Sequence, residues 1–319
     1  MEQRKTNTAT AGIDVSKRTL DAAVLGVEPQ IRVASDPGGH DQLIAWLGEH
    51  GVRRVGLEAS GGYERAIAQR LREEGFEVVI HQPAEVRAFA RFKRIKAKND
   101  RIDARLIALA TAQVEAVRAA NDPRLVELAE RLTAYEQASE RVAQMKTCLE
   151  QVTLPDLRAG LQAQLAQAQA WKKHLALDLL ARIKACPDLA ARFDLLRSIP
   201  GFGQIVAAQQ LIRMPELGRL ERGRAASLIG VAPFDRDTGE SHGQRHICGG
   251  RARPRRLLYI AALAASRVDP ALRALAQRLR TAGKPPKVAL VAVMRKLIEA
   301  ANTVLARQSP WITTPATHA

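Results

Sequence analysis

Residues 11–26 read AGIDVSKRTLDAAVLG. Two apolar runs of strand type, AGIDV and LDAAVLG, flank the turn-prone VSKR, so the stretch predicts a β-hairpin that opens a sheet. Asp14 stands inside the first run, where a charge is costly unless it holds a cation. Working outward, HDQLIAWLGEH (40–50) predicts a helix and RRVGLEA (53–59) a buried strand ending at Glu58. YERAIAQRLREEG (63–75) predicts a helix stopped by Gly75, and FEVVIHQP (76–83) a strand stopped by Pro83. Strands alternating with helices argue for an α/β sheet with helices packed on it. AEVRAFARFKRIKAKNDRIDARLIALA (84–110) reads as helical, with a break near Lys98 and Asn99.

From about Asp122 to Ala185 the pattern changes. Leu128, Leu132, Tyr135, Val142, Met145, Leu149 and Val152 follow steps of three, four and seven with charges between them, and Leu157, Leu161, Leu165, Leu175 and Leu179 continue after Pro155. This spacing predicts a helical hairpin of coiled-coil type, either an intramolecular pair or a dimerisation arm. Beyond it, SIPGFG (198–203) sets Pro200, Gly201 and Gly203 in a tight turn between two apolar helical segments. Glycine in such a turn lets backbone N–H groups approach a phosphate. A polar, glycine-dense, basic stretch then runs from Ala232 to Arg256 ahead of an apolar helix. Irregular segments of that length in compact domains carry function or are disordered.

The formal net charge is +16, and it is unevenly placed: residues 196–319 hold 20 Lys+Arg against 7 Asp+Glu, while residues 111–195 hold 11 of each. Such a distribution suits a polyanionic partner bound by the C-terminal third, and a balanced middle suits a protein-facing element. Cys148, Cys186 and Cys248 form no C-x-x-C pair, which argues against a structural zinc and for a reducing cytosolic setting. Lys and Arg interrupt every hydrophobic stretch before it reaches membrane-spanning length, so no membrane partner is expected.

KNDRIDA (98–104) puts Asp100 and Asp103 on one helix face, directly after Arg91, Lys93, Arg94, Lys96 and Lys98. Together with Asp14 and Glu58 they make a set of hard oxygen ligands suited to one or two Mg²⁺ or Mn²⁺ ions. With ions bound, carboxylates that would repel DNA face a phosphate instead, and Lys93, Arg94, Lys96 and Lys98 hold the neighbouring backbone. Asp21, Glu64 and Glu85 are rival ligands that spacing leaves open. Taken singly, any of these acids also serves as a helix cap or an ion-pair partner.

GIDVSK at the start, LEASGGYE around Glu58, KNDRIDAR, SIPGFG, GVAPFDRDTG (230–239), GGRARPRRLLYIAAL (249–263) and GKPPKVALVAVMRKL (283–297) occur in this order. From about residue 11 to residue 311 the chain thereby resembles insertion-sequence transposases that pair a DEDD RuvC-like domain with a C-terminal transposase domain and are guided by a bridge RNA. The resemblance implies an α/β plus α protein. An RNase H/RuvC-like DEDD domain would span 1–115, a coiled-coil dimerisation region 116–190, and a mainly helical transposase domain with a helix-hairpin-helix-like turn 191–319. It implies Asp14, Glu58, Asp100 and Asp103 as the metal-binding tetrad. The implied partners are target and donor DNA, a structured guide RNA and further copies of the chain, dimers assembling to a tetramer, in a bacterial cytoplasm at the nucleoid.

The family's nucleophile is the serine of an S-G pair after the G-x-x-P block. Here that position is Thr238 before Gly239. Threonine keeps the hydroxyl, although its methyl stiffens χ1 and crowds the approach, and Ser241 is a rival hydroxyl in the same stretch. Arg236, Arg245, Arg251, Arg253, Arg255 and Arg256 are candidate clamps for the scissile phosphate and its neighbours, with Gly201 and Gly203 as a further phosphate contact. The reading is an RNA-guided DNA recombinase working through a covalent hydroxyl–DNA intermediate with Mg²⁺ assistance. A Holliday-junction-type metal nuclease, a site-specific DNA invertase and a non-catalytic nucleic-acid binder are the alternatives.

Overall fold

The computed structural model describes residues 9–28, 30–94, 100–115, 122–234 and 246–312. They form two compact units that divide between Asn121 and Asp122.

In the first unit the predicted hairpin is present as β1 (Thr10–Val15) and β2 (Thr19–Val24), paired antiparallel with Asp14 opposite Asp21. The Ser16 hydroxyl fixes the turn by accepting the Thr19 N–H at 2.9 Å. A third strand that the sequence reading did not anticipate, β3 (Ile31–Ala34), adds antiparallel to β2. After α1 (Pro37–Glu49), β4 (Arg54–Glu58) joins β1 in parallel; after α2 (Glu64–Glu73), β5 (Glu77–His81) joins β4 in parallel. The order is β3-β2-β1-β4-β5. Two more helices follow, α3 (Pro83–Phe92) and α4 (Asp100–Ala112).

Strand alternation sorts the sheet's side chains into two faces with different tasks. Ala11, Ile13, Val15, Leu20, Ala22, Val24, Val55 and Leu57 project to one face and bury against Leu43 and Leu47 of α1 and Ile67 and Leu71 of α2. The other face carries Gly12, Ala23 and Gly56, and α4 lies directly on it: a Cβ at Gly12 would come within 2.2 Å of the Ala104 carbonyl oxygen. Residues lacking bulk are what let a helix backbone approach this closely. Asp14, Asp21 and Glu58 belong to the same face by parity.

The second unit is helical apart from one short ladder. The predicted hairpin is α5 (Pro123–Gln151) with α6 (Pro155–Lys184). Its base, with Leu125, Leu128, Leu132, Leu179 and Ile183, shares one apolar core with the helices that follow. These are α7 (Pro187–Arg197), α8 (Gln204–Arg213), α9 (Arg224–Ile229), α10 (Ala252–Val268), α11 (Pro270–Thr281) and α12 (Pro286–Arg307). Arg131 pairs with Asp178 at 2.7 Å and Arg182 with Glu127 at 3.1 Å, and these two pairs tie the arms of the hairpin. Farther from the base the predicted stripe opens to solvent, with Leu157 exposed. Among the described residues seven helices start on a proline at the first helical position, where the missing N–H has no intrahelical partner to lose. No helix among the described residues is long and apolar enough to cross a membrane.

Candidate active site

The β1–β4 register runs Gly12 to Gly56 and Ile13 to Leu57, so one further step sets Asp14 beside Glu58. Adjacent strands lie about 4.8 Å apart, and the two carboxylates project from the same face at the same strand ends. Helix α4 runs antiparallel to these strands. Near its C-terminal end the Val114 carbonyl accepts from Arg54 Nη1 at 2.7 Å, at the start of β4. Thr111 and Ile107 lie over Gly56, and Ile107, Ala108 and Ala104 over Gly12. Asp103, next to Ala104 and one turn before Ile107, therefore arrives at the end of the sheet that carries Asp14 and Glu58. Asp14, Glu58 and Asp103 are each half-buried, so water and ions reach them. Asp100 is the first residue of α4; its side chain lies outside the described residues.

The rival carboxylates are engaged elsewhere. Asp21 pairs with Arg32 at 2.7 Å. Glu64 accepts from the Ser60 and Gly62 N–H groups at 3.0 and 2.9 Å and from the Ser60 hydroxyl, closing the turn that follows Glu58. Burial pushes the Glu64 carboxyl upward, but these donors and its own N–H outweigh it and hold the pKa below the usual value. Glu85 Oε2 accepts the Gln82 N–H at 2.9 Å as half of a capping box on α3. His81, opposite Glu58 on β5, is buried and touches Thr111 at 2.8 Å. Because the Thr111 hydroxyl donates to the Ile107 carbonyl, it accepts from His81 Nε2, which fixes that tautomer. Desolvation keeps His81 below the usual histidine pKa although Glu85 opposes it.

Among the described residues no group of three His, Cys, Asp or Glu side chains is gathered tightly enough to hold a metal ion. The donor type nevertheless suits one: Asp14 and Glu58 project from one face at one sheet end, Asp103 is on the helix that covers that face, and carboxylate oxygens are the hard ligands that Mg²⁺ and Mn²⁺ take.

In the second unit, Pro233 and Phe234 (β6) pair antiparallel with Ile247 and His246 (β7), drawing together the ends of the 235–245 segment. Thr238, Ser241, Arg236 and Arg245 lie in that segment, outside the described residues, as do Lys96 and Lys98. Lys93 caps α3 with its ammonium over Phe89 and Phe92, at 5.7 and 5.9 Å from the ring centroids, and exposed Arg94 follows it. The remaining candidate arginines have protein partners. Arg251 makes a two-pronged contact with Glu216, at 2.8 and 2.5 Å, and also donates to the Arg213 carbonyl. Arg253 pairs with Glu136 at 3.4 Å, Arg256 with Glu140 at 2.8 Å, and Arg255 donates to the Gly249 carbonyl at 2.5 Å. Gly201, at φ +80°, has a packing reason to be glycine: a Cβ there would come within 2.2 Å of the Ala261 carbonyl oxygen on α10. Gly203 caps α8, and a Cβ on it would meet nothing.

Comparison with known proteins bears on the same segments. The DEDD transposase model of IS110 type matches residues 11–154, and a second model, "Transposase IS116/IS110/IS902 family", matches residues 193–277. The chain carries both transposase domains of the IS110 family. It is a DNA-recombining enzyme. The transposase is 24% identical to a "Pilin gene-inverting protein" of Moraxella lacunata, over 94% of this chain and 96% of that protein. It is 30% identical to an uncharacterized 43.6 kDa protein of insertion element IS110 from Streptomyces coelicolor, over 46% of this chain and 35% of that protein. The DEDD transposase model covers the sheet that carries Asp14 and Glu58, and the second model covers residues on both sides of the 235–245 segment. A mixed α/β sheet in the first of these domains is consistent with a RuvC-like fold.

Proposed function

We propose that the transposase is an RNA-guided recombinase of an insertion sequence, with its first unit a RuvC-like nuclease fold and Asp14, Glu58, Asp100 and Asp103 as a metal-binding tetrad. The supporting observation is the small-residue seat of α4, which delivers Asp103 to the sheet end where Asp14 and Glu58 stand side by side. Mg²⁺ or Mn²⁺ held there would supply charge neutralisation at a scissile phosphate. The chain's own residues do the rest. The hydroxyl of Thr238, or of Ser241, bonds to phosphorus and displaces one DNA ester oxygen, which leaves as a DNA hydroxyl after taking a proton. The product is a protein–DNA phosphoester, and attack by a second DNA hydroxyl reverses the step on a new strand. A guide RNA would leave sequence choice to base pairing, in keeping with a chain that is only 4% aromatic and poorly equipped to stack on bases.

Reacted, labelled DNA on a denaturing gel tests the chemistry. A protein-linked band is expected from wild type, lost in Asp14→Asn and Asp103→Asn; free cut ends without such a band would instead identify a metal nuclease. The same two variants should lose the thermal stabilisation that Mn²⁺ gives wild type, about 2.7 kcal/mol at a hundredfold excess over Kd. Sequencing the RNA that copurifies tests guidance: a discrete structured species supports it, and bulk cellular RNA alone counts against it. Site-specific inversion is the second reading, favoured by the near-full-length match to a pilin gene-inverting protein. A plasmid with inverted sites separates inverted from excised products.

A further inference from the structure

The arginines next to the 235–245 segment are taken: Arg251, Arg253 and Arg256 each hold a glutamate. A second basic set is not. Arg267 at the end of α10, Arg273 and Arg280 on α11 and Lys287 in the first turn of α12 line one groove of about 450 Å³. Among the described residues none of these four meets a carboxylate at ion-pair distance, and no Asp or Glu lines the groove. Four like charges along one concave strip repel one another, and a bound polyanion would relieve that repulsion. The Arg273 guanidinium donates to the Arg267 carbonyl, which holds it along the wall, and Gln277 adds an uncharged donor.

Spacing selects an extended anion over a small one. Arg273 and Arg280 are two helical turns apart, about 10 Å along the axis. A strand of duplex DNA advances one phosphate per roughly 3.4 Å of axis, so the row matches about three successive phosphates. Tyr259 is the one aromatic residue in the lining, which leaves little surface on which bases could stack.

We propose that this groove between α10, α11 and α12 seats the sugar–phosphate backbone of duplex DNA without reading its bases. The proposal rests on the DNA-recombining reading and deepens it by giving the second unit a defined place to hold substrate. DNA is preferred to RNA because it is the polymer on which this enzyme class acts.

The test uses the full chain with Arg267, Arg273, Arg280 and Lys287 all replaced by alanine, its folding checked by thermal melting. Binding to a labelled duplex DNA of arbitrary sequence is followed by fluorescence anisotropy across a salt series in EDTA. The slope of log K against log salt should fall by about 3 to 4, near 0.9 per lost phosphate contact. Affinity at physiological salt should fall more than about tenfold. The fourfold lysine/arginine exchange, which keeps every charge, should retain the slope. If the alanine variant fails to fold, Arg280→Ala and Lys287→Ala alone should each lower the slope by about 1. An unchanged slope, or a loss seen with duplex RNA while DNA binding stays intact, overturns the proposal. No strand is cut in EDTA, so Asp14→Asn should bind with the wild-type slope; failure of the covalent chemistry and failure of the groove are thus read separately.

Discussion

Replacing Gly12 by alanine removes no charge, no hydrogen bond and no metal ligand, yet it should disable the enzyme. The added Cβ would lie 2.2 Å from the Ala104 carbonyl oxygen, 2.3 Å from the Ala108 nitrogen and 2.9 Å from the Ile107 carbonyl carbon. All three obstacles are helix backbone, so no rotamer change relieves them. Ordinary contact begins near 3.4 Å, and α4 must withdraw by 1.2 Å, the difference between 3.4 and 2.2 Å. Overpacking of this kind costs about 1–3 kcal/mol. For a unit on the scale of a hundred residues, each kcal/mol lowers the melting midpoint by about 4–8 °C. Asp103 moves with the helix, and a displacement of about 1 Å at a catalytic group typically costs on the order of a hundredfold in rate. Gly56→Ala is the comparison: its Cβ would collide with the Thr111 hydroxyl at 1.8 Å, a side-chain obstacle that Thr111→Ala removes. Scanning calorimetry and the yield of protein-linked DNA, measured together, should show Gly12→Ala impaired in both and the Gly56→Ala/Thr111→Ala pair recovering more than Gly56→Ala alone. A Gly12→Ala protein with the wild-type midpoint and yield would refute the seating of α4 on β1, and with it the argument that brings Asp103 to Asp14.

Glu64 gives a pH test. Its folded pKa lies below the ordinary glutamate value of 4.5, so its contribution to stability is present above that value and is lost as pH falls through the lower folded one. Melting midpoints of wild type and Glu64→Gln should differ at neutral pH and converge below about pH 4.5; a constant difference would mean the Ser60–Gly62 turn does not depend on the carboxylate. Arg251→Lys should destabilise the second unit almost as much as Arg251→Ala, because an ammonium cannot reproduce the forked contact to Glu216 and the bond to the Arg213 carbonyl, and urea unfolding should place the loss at about 1.5–3 kcal/mol. Full stability of the lysine variant would show that charge alone suffices there.

Most elements of the first unit were legible because each is announced locally. The hairpin has a hydroxyl-bearing turn at Ser16, and Pro37 and Pro83 each open a helix. Strand β3 was not legible: four residues long, with only Val33 fully buried, its IRVA lacks the length and alternation that mark a strand. The tetrad could be picked by residue type and resemblance, but what brings Asp14, Glu58 and Asp103 to one sheet end is written in Gly12, Ala23 and Gly56, residues without functional groups.

The arginines show the limit of composition more sharply. Sequence alone ranks Arg251, Arg253, Arg255 and Arg256 as phosphate clamps because they cluster within six residues of one another. The fold turns three of them toward Glu216, Glu136 and Glu140 and the fourth toward a backbone carbonyl, and two of those glutamates come from the hairpin more than a hundred residues away. A cation already matched within the protein must give up that partner before it can serve a phosphate, whereas Arg267, Arg273, Arg280 and Lys287 meet no carboxylate at ion-pair distance among the described residues. Positive charge density along the chain is therefore a poor guide to which cations are already matched: availability depends on acids distant in sequence, and the proposed groove differs from the run before α10 in that its i, i+7 pair, Arg273 and Arg280, would meet a phosphate without first leaving a glutamate.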